Sequence, residues 1–312
     1  MIYFDVCKSD SGHFRLHGIA PSTPGEIEVV ARDLGGLVLE SFGEFDLSSL
    51  QVFSFESKIT YRNDIVVEVR DEKTTSTMRY AKRKLDLSGA YNFRDFGGYS
   101  TDGGAQVPWR KYFRSENLSS LTANDIQVLG SVGISTIFDL RQPLERLQNP
   151  TPEPIASSIN IVEVPLLSTI VGYEDGLAAI FAGKIPRITA SDMAQMYAEL
   201  LEVHINEMMA VAQAILDHDN GSILIHCNAG KDRTGMIVAL VQLALGVSTD
   251  DVIYDYLLSN RYRTPVRMAQ LKTDFQSRGL SIDNFKPYMS APYLAFLAVL
   301  EDLESASKEI RK

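Results

Sequence analysis

The sequence has few cysteines and no long apolar segment. Only Cys7 and Cys227 occur among its 312 residues, and they stand far apart in the chain, which is not the pattern of a disulfide framework. No apolar run approaches the roughly 18 residues of a membrane span, and the start, MIYFDVCKSD, lacks the basic and apolar regions of a signal peptide. We therefore expect a protein without a membrane span in a reducing cytoplasm, although a secreted form with its signal removed would fit the same sequence.

Positive charge is also scarce. The chain carries 40 acidic and 30 basic residues, for a formal net charge of -10. A general binder of nucleic acid or of an anionic membrane needs a positive field, which this balance does not supply. We therefore expect no nucleic-acid partner, while a local basic pocket is still allowed.

Residues 1–85 carry short runs of β-branched and aromatic residues with turn signals between them. Examples of the runs are 13–16, 27–30 and 65–69, and the turn signals include Pro21 to Gly25 and Arg62 to Asp64. Closely spaced strands with such turns predict a small all-β module, a sandwich or a barrel. No catalytic constellation occurs in it, so we expect a role in packing or partner binding, with substrate delivery as the less favoured alternative.

From residue 86 to residue 312, strand and helix patterns alternate. Buried strands are predicted at 134–140, 161–167 and 222–225, and a capping box at Thr122 to Asp125 opens a helix. Further helices are predicted at 191–216, 234–245, from 248 or 249 to 259, and 291–306. This alternation predicts an α/β domain, residues 86–312, with a mainly parallel sheet and flanking helices.

One segment between a predicted strand and a predicted helix has the composition of an anion-binding loop. It runs Ile225-His226-Cys227-Asn228-Ala229-Gly230-Lys231-Asp232-Arg233-Thr234-Gly235. The backbone N–H groups from Asn228 to Thr234 would point inward around a phosphate-sized anion, which would also face the N-terminus of the helix. Gly230 permits the sharp turn, and the planar guanidinium of Arg233 can bind two phosphate oxygens.

The same loop would activate Cys227. A thiol at a helix N-terminus beside cations ionises readily, and the thiolate is the nucleophilic form. It would lie beneath a bound phosphorus, where the Thr234 hydroxyl could donate to the sulfur and help it leave. The alternative for a lone cysteine is an inert packed side chain. Glycine, arginine and threonine at these positions, in a strand-loop-helix context, favour the nucleophile.

The segment from His226 to Thr234 resembles the Cys-x5-Arg-Ser/Thr signature of the protein tyrosine phosphatase superfamily. Its particular form, HCNAGKDRTG, resembles the bacterial tyrosine/serine phosphatases. Further segments match that subgroup: Asn92 to Gly98, Phe113 to Ser115, Phe138 to Arg141 followed by Glu145, and Asp255 to Asn260. The resemblance covers roughly Asp86 to the end of the chain and leaves out the β-rich N-terminus.

This resemblance implies an α/β phosphatase domain that hydrolyses phosphomonoesters without a metal or another cofactor. The Cys227 thiolate would attack phosphorus to form a phosphocysteine, while Arg233 and the loop amides stabilise the equatorial oxygens. The substrate would be a phosphorylated protein or a small phosphomonoester. Lys231 would add a second cation, but Asn228 stands where phosphoinositide phosphatases carry another lysine, which argues against a strong phosphoinositide specialisation. The alternatives are a catalytically weak phosphate-binding domain, or a phosphatase that acts on phosphoinositides or other small phosphomonoesters. The oligomeric state is left open.

The sequence offers three candidates for the general acid. The single tryptophan, Trp109, is followed by Arg110, so the chain lacks the Trp-Pro-Asp loop of many relatives. The resemblance makes Asp232, inside the loop, the first candidate. Asp139 lies at the end of the predicted strand 134–140 and could reach the same rim, although an ion pair or hydrogen bond to Arg141 or to the loop explains it equally well. Asp192 is a weaker candidate.

Two further segments have open roles. Asn92, Arg94 and Asp95 could line the pocket or support the chain beside it, and support is the favoured prediction. The stretch from Thr169 to Arg187, which contains three glycines, is either a mobile lid over the cleft or a plain surface connection.

Overall fold

A computed structural model describes residues 3–20, 26–46, 51–71, 77–166 and 176–310. The N-terminal part of these residues forms two antiparallel sheets. The first has the order β1-β2-β5 and contains β1 (Tyr3–Lys8), β2 (His13–Ala20) and β5 (Gln51–Thr60). The second has the order β4-β3-β6-β7 and contains β3 (Glu26–Arg32), β4 (Val38–Asp46), β6 (Val66–Asp71) and β7 (Thr77–Tyr80).

These two sheets enclose one apolar cluster. Phe14 and Leu16 enter it from the first sheet, and Ile27, Val29 and Val67 enter it from the second. The members alternate along each strand because successive side chains point to opposite faces. The predicted small all-β region is therefore confirmed, and its two sheets pack as a sandwich.

The rest of the chain surrounds a five-stranded mixed sheet with the order β11-β10-β12-β9-β8. Its strands are β8 (Arg94–Asp95), β9 (Tyr112–Ser115), β10 (Ile134–Asp139), β11 (Asn160–Glu163) and β12 (Ser222–His226). The pairs β10–β11, β10–β12 and β12–β9 are parallel, and β8 runs antiparallel to β9. Every residue of β12, the central strand, is buried. Its carboxyl end therefore opens at the middle of the sheet, directly before Cys227.

Helices cover both faces of this sheet. Ile223 and Ile225 pack into the larger apolar cluster, and Leu224 packs into a second cluster on the opposite face. The helices are α1 (Ala123–Ser131), α2 (Pro143–Gln148), α3 (Glu153–Ala156), α4 (Gly176–Phe181), α5 (Ala190–Leu216), α6 (Asp232–Ala244), α7 (Thr249–Tyr262), α8 (Thr264–Ser277), α9 (Lys286–Met289), α10 (Tyr293–Leu297) and α11 (Leu300–Ile310). Among the described residues, no helix is both long enough and apolar enough to cross a membrane.

Most predicted elements agree with the structure in type, and the differences have physical reasons. The capping box is present: Asp125 N donates to Thr122 Oγ1 at 3.2 Å, and Thr122 N donates back to the Asp125 carboxylate at 2.9 Å. The single helix predicted at 291–306 is wrong, because α10 packs against α5 and α7 whereas α11 packs against α5 and α6. Helix α8 escaped prediction because it buries only two apolar side chains, Leu271 and Phe275, which gives a weak periodic signal.

Candidate active site

The loop after β12 curls around the sulfur of Cys227. This side chain is only 1% exposed, and its Sγ accepts a hydrogen bond from the amide of Gly230 at 3.2 Å. Gly230 has φ +66°, and a Cβ there would lie 2.2 Å from the carbonyl oxygen of Ser115. Only glycine fits this position, because both the left-handed backbone and the close approach of β9 exclude a side chain.

Carbonyl groups of the loop are bound by donors from the surrounding protein. Asn92 Nδ2 donates to the carbonyls of Ala229 and Gly230 at 3.1 and 3.0 Å, and Arg114 donates to Gly230 O at 2.9 Å. The carbonyl of Asn228 accepts from Asn117 N at 3.1 Å. Because buried backbone carbonyls need donors, these contacts fix the orientation of the three peptide groups whose carbonyls they bind.

A buried charged network lies beneath these donors. Asp255 accepts from Arg114 at 2.6 Å and lies 3.5 Å from Arg94 Nε, and all three side chains are almost completely buried. Arg94 in turn donates to Asn92 Oδ1 at 2.6 Å. Burial alone would raise the pKa of Asp255, but the charges of Arg94 and Arg114 lower it. Asn92 and Arg94 thus lie below the loop, in the supporting position, and not among the pocket-lining residues.

The guanidinium of Arg233, in the first turn of α6, is held by Glu145 of α2. Two hydrogen bonds of 2.7 Å join Arg233 to the two oxygens of Glu145, and a third reaches the carbonyl of Leu140 at 3.3 Å. Burial favours a raised pKa for Glu145, but the hydrogen bond and charge of Arg233 lower it, so the carboxylate is ionised. This bidentate pair fixes the guanidinium at the wall of the pocket that Cys227 also lines.

Asp232 and Lys231 enter the same pocket as a pair. Lys231 Nζ lies 2.8 Å from Asp232 Oδ1, and the hydroxyl of Tyr197 donates to the same oxygen. Burial lowers the pKa of Lys231 despite the neighbouring carboxylate. The Lys231 ammonium also lies 5.8 Å from the ring centre of Tyr288. Both charged groups therefore have fixed partners at the edge of the loop after β12.

Asp139 occupies a different place. Its carboxylate accepts three hydrogen bonds from the Arg141 guanidinium, at 2.8 to 3.1 Å, and a fourth from the Arg141 amide. It does not line the pocket. Burial raises the pKa of Asp139, but the contacts with Arg141 and the nearby His226 give a net lowering. The ion pair, one of the two alternatives for this residue, matches its position.

His226 and Thr234 flank Cys227 in sequence. His226 is fully buried; its Nδ1 donates to the carbonyl of Cys227 at 3.2 Å, and burial lowers its pKa to about 4. The hydroxyl of Thr234 is buried without a hydrogen-bond partner in the described part of the chain. Asp192, the weaker acid candidate, forms the capping box of α5 with Thr189.

The rim of the pocket has cations that the sequence analysis missed. Arg263 and Arg267, one helical turn apart around the start of α8, line the pocket together with Lys231 and Arg233. Arg263 is held by Glu116 at 3.0 Å. The i, i+4 spacing of the two arginines was the only signal in the sequence, and it does not specify which face a helix turns to the site.

The first part of the segment predicted as a lid or a surface connection, residues 169–175, lies outside the described residues. Beyond it, Gly176 and Leu177 of α4 line the same pocket as Cys227. A Cβ on Gly176 would lie 2.7 Å from the Tyr288 hydroxyl, so this helix approaches the pocket wall closely. Across the described ranges, no three His, Cys, Asp or Glu side chains come together as metal ligands would.

The part of the chain that contains this site is similar to known proteins. Residues 85–312 match the model of the tyrosine phosphatase family. A candidate tyrosine-protein phosphatase of Cupriavidus necator is 34% identical over 175 residues, 54% of this chain and 60% of that protein. A tyrosine-protein phosphatase of Nostoc commune is 26% identical over 156 residues, half of each chain. The triple specificity protein phosphatase PtpB of Mycobacterium tuberculosis is 30% identical over 216 residues, 62% of this chain and 75% of that protein.

The chain thus spans only 60% and 50% of the length of the first two of these relatives. Its matched region nevertheless contains the whole sheet, the loop around Cys227 and the helices that hold it. The chain belongs to the tyrosine phosphatase family.

Proposed function

We propose that this protein is a Cys-dependent phosphomonoester hydrolase that acts on phosphorylated proteins, phosphotyrosine above all, through a phosphocysteine intermediate. One observation carries the proposal: the amide of Gly230 points at the Cys227 sulfur from 3.2 Å in the pocket that Arg233 lines. An anion above that sulfur would meet inward amides, a helix N-terminus and a guanidinium at once.

The mechanism assigns one task to each group. The Cys227 thiolate attacks phosphorus, the S–P bond forms and the P–O bond to the leaving group breaks. Arg233, held in place by Glu145, and the loop amides balance the charge on the equatorial oxygens. Asp232 gives its proton to the leaving oxygen, and the carboxylate then takes a proton from the water that hydrolyses the phosphocysteine.

Substrate selection would follow from the charge around the pocket. Among the residues that the structure describes, Lys231, Arg233, Arg263 and Arg267 line it together with two carboxylates, Glu145 and Asp232. In a chain of net charge -10, this is the local basic pocket that a phosphorylated substrate requires. Small phosphomonoesters would be bound by the same groups, so the test below uses p-nitrophenyl phosphate beside phosphotyrosine peptides.

The all-β region would be a separate domain. We propose a boundary near residue 85, with residues 86–312 as the catalytic domain built mainly on parallel strand pairs. The match to the family model, residues 85–312, supports this division. The function of the N-terminal region and a cytoplasmic location stay predictions.

The two cysteines provide a matched test. Cys227→Ser should abolish hydrolysis of p-nitrophenyl phosphate and of phosphotyrosine peptides, whereas Cys7→Ser, in β1 of the N-terminal sheet, should leave both rates unchanged. Acid quenching of the wild type with labelled substrate should trap label on Cys227. Wild-type rates in Cys227→Ser would overturn the proposal. Tight phosphopeptide binding by the wild type without any turnover would instead establish the alternative, a phosphate-binding domain.

A further inference from the structure

We propose that Tyr197 is a positioning residue for the general acid: its hydroxyl fixes the Asp232 carboxyl group so that the transferable proton is carried on Oδ2. This inference rests on the proposed function and deepens it. It starts from the convergence of three helices, since Tyr197 lies on α5, Asp232 begins α6 and Tyr256 lies on α7.

The two oxygens of Asp232 have different surroundings. Oδ1 accepts from the Tyr197 hydroxyl and from Lys231 Nζ, the latter at 2.8 Å. Within the described residues, Oδ2 has no hydrogen-bond partner. A lysine ammonium can only donate, so a proton on Oδ1 would point at a second donor and lose a hydrogen bond. A protonated Asp232 therefore carries its proton on Oδ2, while Oδ1 remains the acceptor.

The tyrosine hydroxyl has a defined direction. Because Tyr197 gives its proton to Asp232, its oxygen is left to accept from Tyr256, 2.7 Å away. Burial raises the pKa of both tyrosines well above the ordinary value, so both hydroxyls keep their protons. The chain of donors thus runs from Tyr256 to Tyr197 to Asp232 and ends at the pocket, which Asp232 lines.

Packing prevents this chain from reorienting. Tyr197 and Tyr256 are 0% and 1% exposed, and their rings meet edge to face at 6.5 Å. Tyr256 also stacks on Phe296 with ring centres 4.0 Å apart. Side chains locked by their neighbours hold a reactive group in one orientation. The hydroxyl of Tyr197 therefore fixes the rotation of the Asp232 carboxyl group, which Lys231, on a flexible stem, cannot do alone.

Proton donation can be separated from all other effects by the choice of leaving group. Phenolate has a conjugate-acid pKa near 10, like tyrosine, and needs a proton as the P–O bond breaks. p-Nitrophenolate is a much weaker base and leaves without one. Loss of the acid therefore slows phenyl phosphate more than p-nitrophenyl phosphate, whereas general damage to the pocket slows both equally.

The experiment compares kcat and KM of four proteins on these two substrates. Tyr197→Phe should lower kcat for phenyl phosphate about tenfold, the rate equivalent of roughly 1.4 kcal/mol, and kcat for p-nitrophenyl phosphate less than twofold, with KM unchanged. Asp232→Asn should show the same selectivity with a larger loss. Tyr254→Phe, on the same helix as Tyr256 but 53% exposed, should show neither.

The possible results distinguish a failure of this inference from a failure of the proposed function. If the wild type hydrolyses neither ester, the proposed function fails. If Asp232→Asn slows both substrates equally, the assignment of the acid fails, and the role of Tyr197 with it. If Asp232→Asn is selective but Tyr197→Phe slows both equally or neither, the positioning role alone is wrong. Should Tyr197→Phe unfold, Tyr256→Phe replaces it: a smaller loss on phenyl phosphate only is expected, and its absence overturns the inference.

Discussion

Replacement of Gly230 by alanine should lower kcat/KM on the order of a hundredfold while leaving the protein folded. The left-handed φ of +66° costs an alanine roughly 1–2 kcal/mol. The larger effect is steric, since the new Cβ would lie 2.2 and 2.4 Å from the carbonyl oxygen and carbon of Ser115. Real Cβ contacts begin near 3.0 Å, so the loop must move by about 1 Å from β9. A misplacement of that size costs on the order of a hundredfold in rate.

Gly104 provides the matched control. It has φ +77°, and a Cβ there would meet nothing within 4 Å. Gly104→Ala should therefore lose roughly the same 1–2 kcal/mol of unfolding free energy and keep full activity. The assay is kcat/KM on p-nitrophenyl phosphate, with urea unfolding of both variants. If Gly230→Ala stays within twofold of Gly104→Ala in kcat/KM, the loop does not need the geometry described for it.

Two further predictions test the surroundings of the loop. Asn92→Ala removes the donor shared by two loop carbonyls. We therefore expect kcat/KM to fall about tenfold and the unfolding free energy to fall by roughly 1–3 kcal/mol. Equal values for variant and wild type would contradict the supporting role of Asn92. His226 has a folded pKa of about 4 because it is buried, against about 6.5 when unfolded. The unfolded chain thus binds the proton first as pH falls, and about 3 kcal/mol of stability should be lost between pH 6.5 and 4. Urea unfolding across that range should show a flatter profile for His226→Asn than for wild type or His17→Asn, and identical slopes would refute the assignment.

Local signals predicted the elements that depend on neighbouring residues in the chain. The capping box at Thr122, the buried strand that ends at His226 and the amphipathic helix α5 were all visible, because their hydrogen bonds and apolar spacing repeat within a few residues. Helix α8 was not, because its two buried apolar side chains give almost no period. The break between α10 and α11 was also missed, because it follows from packing: α10 contacts α7 and α11 contacts α6, in addition to α5.

The family match confirms the resemblance that the motif indicated, and the site shows what a motif leaves open. Asp139 and Asp232 were both candidates for the acid: the resemblance implied Asp232, and Asp139 lies at the end of a predicted strand. Only the fold shows that Asp139 is bound by Arg141, while Asp232 lines the pocket. The catalytic roles themselves stay predictions until the variants are measured.

The sequence by itself determined which chemical groups the loop brings together. A cysteine sulfur, a glycine turn and a guanidinium lie within seven consecutive residues, Cys227 to Arg233, so the local backbone alone keeps them close to one another. Tertiary structure decided everything that reaches the loop from elsewhere: Asn92 and Arg114 on its carbonyls, Glu145 on Arg233, and Tyr197 on Asp232. These partners lie 35 to 138 positions away in the chain. No local pattern records such pairs, because only the packing of strands and helices around one buried core brings their side chains within hydrogen-bond distance.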